Sequence, residues 1–492
     1  MVSKNRKSSL FIFLIFIYSF VLDFIHINYT YFIDHNVPAC LNTIPSSPFW
    51  LVDSEIFDNS ARLLLEGKKI DSGIPFRPPL YILVLSGIFK ISAENYLMAK
   101  LISSVLLCLS CIFIYLTGAI LLNELTGMIT SVLWASSFGK IMMSGSLNNE
   151  SLYLFLVSFI IYILVRKNMN LDFKGCILFG LLSGLAMLTR SEYQLFFIII
   201  LSLYFIKKKK FTRPYRNSSI IILVALTVIA PWMLRNYFSI SKINEKYGYG
   251  LNKFVPITSY GALNFATANN EDADGGFSRN ILEADDYKDK DFSFDNPQHL
   301  FYFKNGYEEG LKFLKSNPGK GLKLFWKKIV IVSDALSFGY LTFDFPSGIN
   351  GFRRYIDVFS PEDKLSYLLH IILLSIGLAL IILEKKFGFK FLPVYAAIFT
   401  TMVANILFFG YVRLGLTILP YILLFISYPL SLIIESLKDM FSLSKPQSAI
   451  LLSTVLIMLL VTSFIISSNS ATLKTEALLG GKLTRISYQS NF

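Results

Sequence analysis

The chain has 492 residues, of which 54% are hydrophobic and only 16% charged, with 45 Phe and a formal net charge of +13. Soluble domains carry about a quarter charged residues, and a run of roughly 20 apolar residues spans a bilayer as a helix, so a water-soluble globular fold is excluded. The apolar runs lack the alternation of barrel strands, and the positive charge collects in loops, as cytoplasmic Lys and Arg do in membrane proteins, which argues against a nucleic-acid partner.

The first element, MVSKNRKSSLFIFLIFIYSFVLDF, is basic and then apolar. No small-residue cleavage site follows closely, so it predicts a retained first span near residues 9–33. Further spans are predicted near 96–121, 127–145, 150–166, 174–190, 192–206, 217–236, 364–384, 391–410, 413–434 and 448–468. Stretches 78–92 and 323–343 are short or studded with charge and read as interfacial or crossing segments. The expected class is an all-α polytopic membrane protein with about 11–13 helices.

Lys4, Arg6 and Lys7, then RKNMNLDFK (Arg166 to Lys174), KKKKFTRPYR (Lys207 to Arg216) and EKKFGFK (Glu384 to Lys390), are expected on the cytoplasmic side. They agree only if 78–92 and 323–343 leave the chain on the same side. Residues 34–95, the turn GSLNNES (Gly145 to Ser151) and the polar stretch Tyr237 to Gly319 then all face the external compartment.

The first of these segments contains LVDSEIFDNSARLLLEG (Leu51 to Gly67). Asp53 is placed to cap a helix, since its carboxylate can accept a free backbone N–H. Ile56, Phe57, Leu63 and Leu64 form an apolar stripe, with Asp58, Arg62 and Glu66 expected on the wet side. The same Asp53 would serve as a general base fixed at the membrane surface. In FRPPLY (Phe76 to Tyr81), Arg77 reads either as a snorkelling anchor or as a bidentate clamp for a lipid phosphate.

Glu150 opens a span, where a carboxylate suits the helix dipole; on the same side as Asp53 it also suits sugar hydroxyls, an acceptor or a metal. Arg190, in LTRSEY (Leu188 to Tyr193), reads as a turn residue or a second phosphate contact. Cys108 and Cys111 form a C-x-x-C inside an apolar run and read as packing residues, and Cys40 has no evident partner. NNEDADGG (Asn269 to Gly276) begins like a calcium loop but puts Ile281 where a bidentate Glu is needed, so it reads as a Gly-rich turn. The four His lack metal-ligand spacing, and no metal site is predicted. The cofactor is left unassigned, with a divalent metal open. No Walker loop or G-x-S-x-G is present.

Several stretches taken in order resemble a known group. They are DSEIF…ARLLLEG…RPPLY (Asp53 to Tyr81), NNESLYLFL (Asn148 to Leu156), GLLSGLAMLTRSEY (Gly180 to Tyr193), PWMLRNY (Pro231 to Tyr237) and TSYGALNFATANNEDADGGF (Thr258 to Phe277). Together they are similar to the membrane glycosyltransferases of the GT-C fold, family 39-like: the protein O-mannosyltransferases and the aminoarabinose transferases that modify lipid A. The resemblance covers roughly residues 1–340 and continues weakly through RLGLTILP (Arg413 to Pro420). It implies a GT-C transmembrane bundle with interfacial helices in the first external loop. It also implies transfer of a sugar from a polyprenyl-phosphate carrier to a lipid, glycan or protein acceptor, usually with inversion.

On this resemblance Asp53 matches the catalytic Asp, which would act as base, Glu150 a second catalytic carboxylate, and Arg77, with Arg190, the donor phosphate site; Glu55, Tyr81 and Asn264 are expected substrate contacts. The expected organisation is a catalytic module, 1–236, containing external loop 34–95; an external loop with an interfacial helix, 237–343; and C-terminal spans with a short external tail, 344–492. A multi-pass plasma-membrane location with the site outside is expected, with membrane lipids around it. The pattern departs from the family at Phe57, where a Tyr is usual, at GALNFATANN (Gly261 to Asn270), and at Phe76, where several members place a carboxylate. A transporter or flippase for lipid-linked saccharides would instead bury charges at mid-membrane, and an oligosaccharide polymerase would carry a large late external loop.

Overall fold

The computed structural model describes residues 2–36, 53–206, 213–276, 280–282, 294, 296–337, 340, 343–346, 352–356, 364–384 and 388–440. The expected span at 448–468 and Cys40 lie outside them. The N-terminal half runs through α1 (Val2–Asn36), α2 (Ser54–Leu65), α3 (Leu80–Ser92), α4 (Tyr96–Leu121), α5 (Glu124–Ser136), α6 (Phe138–Gly145), α7 (Glu150–Arg166), α8 (Phe173–Thr189), α9 (Tyr193–Ile206) and α10 (Pro214–Tyr247). Then follow α11 (Gly261–Ala268), α12 (Pro297–Ser316), α13 (Pro318–Ser333), α14 (Lys364–Leu383), α15 (Leu392–Leu407), α16 (Val412–Leu416) and α17 (Leu419–Met440). One small antiparallel pair, β1 (Phe343–Pro346) with β2 (Phe352–Ile356), accompanies an otherwise helical chain of the expected all-α class.

Among the described residues, five helical segments are long and apolar enough to cross a membrane: Ser8–Ile27, Tyr96–Leu121, Pro214–Tyr247, Phe389–Leu407 and Leu419–Lys438. Shorter apolar helices at Leu80–Ser92, Phe173–Thr189, Tyr193–Ile206 and Leu368–Leu383 pack among or beside them. The protein is a multi-pass helical membrane protein. Two expected spans are broken. The run 127–145 divides at Ser137, which is extended (φ −62°, ψ 130°), and 413–434 divides between α16 and α17. Hydropathy registers the apolar run and not the turn within it. The span expected to end at 236 runs on as helix to Tyr247; Asn236 donates to the Val255 carbonyl (3.0 Å), Trp232 Nε1 to that of Ile257 (2.8 Å), and Asn244 near the helix end to that of Leu251 (2.8 Å), so the following loop folds back along the helix.

Asn95 caps α4 through Met98 N (3.1 Å) and Asn123 caps α5 through Thr126 N (2.7 Å), so each span has its first free N–H groups satisfied. Gly180 and Gly184 on α8 let α10 approach to contact. A Cβ at Gly184 would lie 2.6 Å from Val228 Cβ, and one at Gly180 would lie 2.8 Å from the Ile221 carbonyl oxygen. This small-x-x-x-small spacing suits helix pairs in lipid, where close packing substitutes for the hydrophobic effect.

Asp23 of α1 is fully buried and paired with Lys140 of α6 at 2.7 Å. Lys140 also donates to Ser19 Oγ (2.6 Å), and Ser104 Oγ of α4 donates to the same carboxylate (2.8 Å). Buried charges are held this way when partners offset their desolvation. Cys108 and Cys111 are free thiols buried beside this cluster, in agreement with a packing role.

Candidate active site

Asp53 occupies the N-cap position of α2, and its carbonyl accepts the Phe57 N–H (3.0 Å), but its side chain makes no cap bond. The residue is already helical (φ −84°, ψ −11°), which turns the carboxylate away from the free amides. That carboxylate pairs instead with Arg413 Nη2 of α16 through Oδ2 and lies 4.0 Å from Arg77 Nη2 through Oδ1. The Asp53 side chain keeps 30% of its surface exposed.

Glu150 opens α7 and is buried. Its Oε1 accepts from Arg190 Nη1 (2.8 Å) and lies 3.1 Å from Arg413 Nε. Arg190 Nε in turn donates to Glu192 Oε1 (2.5 Å). Asn149 steadies the corner, its amide donating to the Thr189 carbonyl (3.0 Å). The result is an alternating row: Arg77, Asp53, Arg413, Glu150, Arg190, Glu192. Five separate segments supply it. Its Arg77–Asp53 end is the more open; Arg413, Glu150 and Arg190 are enclosed.

The electrostatics follow from this order. Burial works to raise the Asp53 carboxyl, but the Arg413, Arg77 and Arg190 charges outweigh it and hold the group below the usual carboxylate range. For Arg413 burial opposes the charge, and Glu150 and Asp53 more than restore it. Both groups are ionised at neutral pH. Three buried polar groups sit beside the row without a hydrogen-bond partner: Ser54 Oγ, the Asn148 amide and Glu150 Oε2. Buried polar atoms ordinarily have partners, and these keep unused hydrogen-bonding capacity next to the row.

Asp53, Arg77, Glu150 and Arg190, all expected from the sequence, are thus brought together. Arg190, however, spends its guanidinium on two carboxylates and a ring contact with Tyr153 (5.5 Å). Glu55 is exposed in the first turn of α2. Tyr81 is buried with its ring edge-on to Phe57 (5.1 Å), in the packing between α2 and α3. Asn264 is half-buried on α11, one turn beyond Tyr260, whose ring meets Phe76 at 5.3 Å. The Pro75 carbonyl accepts the Ser259 N–H (2.9 Å), so the segment before α11 lies along that bearing Arg77.

The expected wet face of α2 is wet at Glu66 and half-open at Arg62, but not at Asp58. Asp58 is buried and bonded by Arg62 Nε (3.1 Å) and Tyr96 OH (3.2 Å), because the start of α4 covers that side. Arg413 is the site residue that sequence reading missed. The available signal was a lone arginine within a long apolar stretch, which lipid tolerates only with a partner or a function.

Residues 76–234 match the family model for dolichyl-phosphate-mannose-protein mannosyltransferases. That segment holds Arg77, Glu150 and Arg190 and stops short of Asp53 and Arg413. The structure is similar to the oligosaccharyltransferase of Archaeoglobus fulgidus tethered to an acceptor peptide, with TM-score 0.52 and 11% identity over 96% of this chain and 55% of that one. It is likewise similar to the apo form of that protein (0.51; 10%; 92% and 55%) and to its complex with an inhibitory peptide and a dolichol-phosphate (0.50; 11%; 97% and 56%). The chain spans about half the length of these structures, and at this identity the likeness is one of fold. No curated protein matches. The chain therefore has the GT-C membrane fold that the sequence resemblance implied, and residues 76–234 within it match the mannosyltransferase family model.

Proposed function

We propose that the protein is a membrane glycosyltransferase that moves a sugar from a polyprenyl-phosphate donor to a lipid, glycan or protein acceptor on the external face of the plasma membrane. The observation that carries this reading is Asp53, a carboxylate at a helix start that leaves the cap unmade and stands half-open between two arginines. The family segment and the fold, shared with a protein solved with a dolichol-phosphate, support a lipid-phosphate donor.

In this proposal the acceptor hydroxyl or amine attacks the anomeric carbon from the face opposite the phosphate. The new bond forms as the anomeric C–O bond to phosphate breaks, and the electron pair leaves with the phosphate. Arg77, at the open end of the row, steadies that charge. The acceptor's proton goes to Asp53. Its lowered basicity is tolerable because the phosphate is already a good leaving group, so proton transfer can come late. Ser54, Asn148 and Glu150 Oε2 receive sugar hydroxyls. Arg190, satisfied by its two carboxylates, orients Glu150 and does not meet phosphate directly. Glu55 and Asn264 remain acceptor-side contacts, and Tyr81 serves the scaffold.

The test is Asp53→Asn in membranes supplied with labelled polyprenyl-phosphate sugar. Transfer should be abolished in a protein that still purifies as a folded monodisperse species; full activity would remove Asp53 from the mechanism. The buried Asp23–Lys140 pair is the one feature favouring a transporter. Movement of the donor across vesicles without covalent transfer would establish that alternative.

A further inference from the structure

Another buried cation lies beside the turn that leads to Arg413. Lys328 of α13 is fully buried, yet its ammonium meets no carboxylate among its hydrogen-bond partners. It donates to Asn269 Oδ1 (2.9 Å) and to the Ile406 carbonyl (3.2 Å). Asn269, at the end of α11, donates from its own amide to the Leu407 carbonyl (2.8 Å). Both residues therefore grip the end of α15, where the chain leaves the helix for the turn that leads to Arg413.

That turn is otherwise held by few atoms. The Gly410 N–H donates to the Gly275 carbonyl (2.8 Å), and the Tyr411 N–H to Asn405 Oδ1 (3.1 Å). Gly410 has no room for a side chain, since a Cβ would lie 2.7 Å from Lys328 Cα and from its carbonyl oxygen. Gly415 is pressed on the same helix, with a Cβ there falling 2.5 Å from the Val332 carbonyl oxygen. Arg413 thus rides on a strap laid across α13, and Lys328 is the pin at its near end. Burial without a compensating acid pulls the lysine ammonium down to about 7. Keeping such a group costs stability, and an apolar residue of the same length would fill the space more cheaply.

We infer that Lys328 and Asn269 form a latch that positions Arg413, and through it Asp53 and Glu150, by fixing the 405–411 turn. Lys328 touches none of the row's residues in the contacts described and acts as a positioning residue. Its catalytic consequence rests on the transferase reading; the latch itself does not.

The test compares Lys328→Met and Asn269→Ala with wild type and with Lys323→Met, an exposed lysine of the same helix. Hydrogen exchange on the detergent-solubilised full chain should show Gly410 and Tyr411 amides opening at least about tenfold faster in both latch variants, and unchanged in Lys323→Met. In transfer assays both should lose about tenfold or more in kcat, with little change in donor KM. The acid limb of their pH–rate profiles should move up by about one pH unit, because a loosened Arg413 no longer holds Asp53 down. Adding Arg413→Lys to Lys328→Met should cost no more than Arg413→Lys alone. Wild-type exchange in both latch variants, an unmoved acid limb, or losses that multiply with Arg413→Lys would overturn the latch. If wild type transfers nothing, the transferase reading fails while the exchange result still decides the latch. Asn269→Ala leaves the ammonium in place, so the test survives misfolding of Lys328→Met.

Discussion

Two of the ionic clusters among the described residues differ in closure. The Asp23–Lys140 pair is sealed at 0% exposure for both side chains, tied into serines of α1 and α4. The row from Arg77 to Glu192 is buried through its middle and open at the Arg77–Asp53 end. A sealed pair can only hold helices in register. A row with an open end can exchange one of its partners for a ligand while its buried members keep the geometry. The pairing is the same; access separates the structural cluster from the candidate site.

That contrast can be broken experimentally. Asp53→Asn should reduce transfer about 10²- to 10⁴-fold, as expected for loss of a positioned base, with the chain still folded by thermal unfolding in detergent. Lys140→Met should do the reverse. Stranding Asp23 should cost about 3–5 kcal/mol of stability, while activity per folded molecule stays near wild type, and Asp23→Leu added to it should recover much of the loss. A folded but inactive Lys140→Met would end the distinction. The third effect is on pH. Asp53 has a lowered pKa in the folded state, so the stabilisation it gives is complete above about pH 4 and is lost as pH falls through the lowered value. Transfer should therefore hold level from neutrality down to about pH 4 as far as Asp53 is concerned, and Arg413→Lys should move the acid limb upward. The smallest effect is expected at Glu192, at the far end of the row: Glu192→Gln should cost about 1 kcal/mol or less in a thermal-shift measurement, because Glu150 still holds Arg190.

The sequence made part of this legible for a definite reason. Asp53, Arg77, Glu150 and Arg190 each stand at the edge of an apolar run, where a charge is conspicuous, and their order carries the family pattern. Arg413 and Lys328 stand within apolar surroundings and become meaningful only through neighbours distant in sequence. The helical wheel of α2 placed Asp58 in water because a wheel knows one helix and not the Tyr96 end of α4 that covers it. The breaks at Ser137 and between α16 and α17 were invisible for a related reason, since turn geometry leaves little trace in hydropathy. The break at α16 matters most, because a continuous span would not present Arg413 from a separate short helix at the edge of the row.

The contact between Asp53 and Arg413 joins residues 360 positions apart. At synthesis rates of about 5–20 residues per second, roughly 20–70 seconds separate the emergence of the carboxylate from that of its arginine. Through that interval the first half of the protein carries a completed α2 with its principal countercharge still unmade. The row is therefore completed only long after residues 76–234 have emerged, and a fragment ending before residue 413 would hold all of that matched segment without a working arrangement of it.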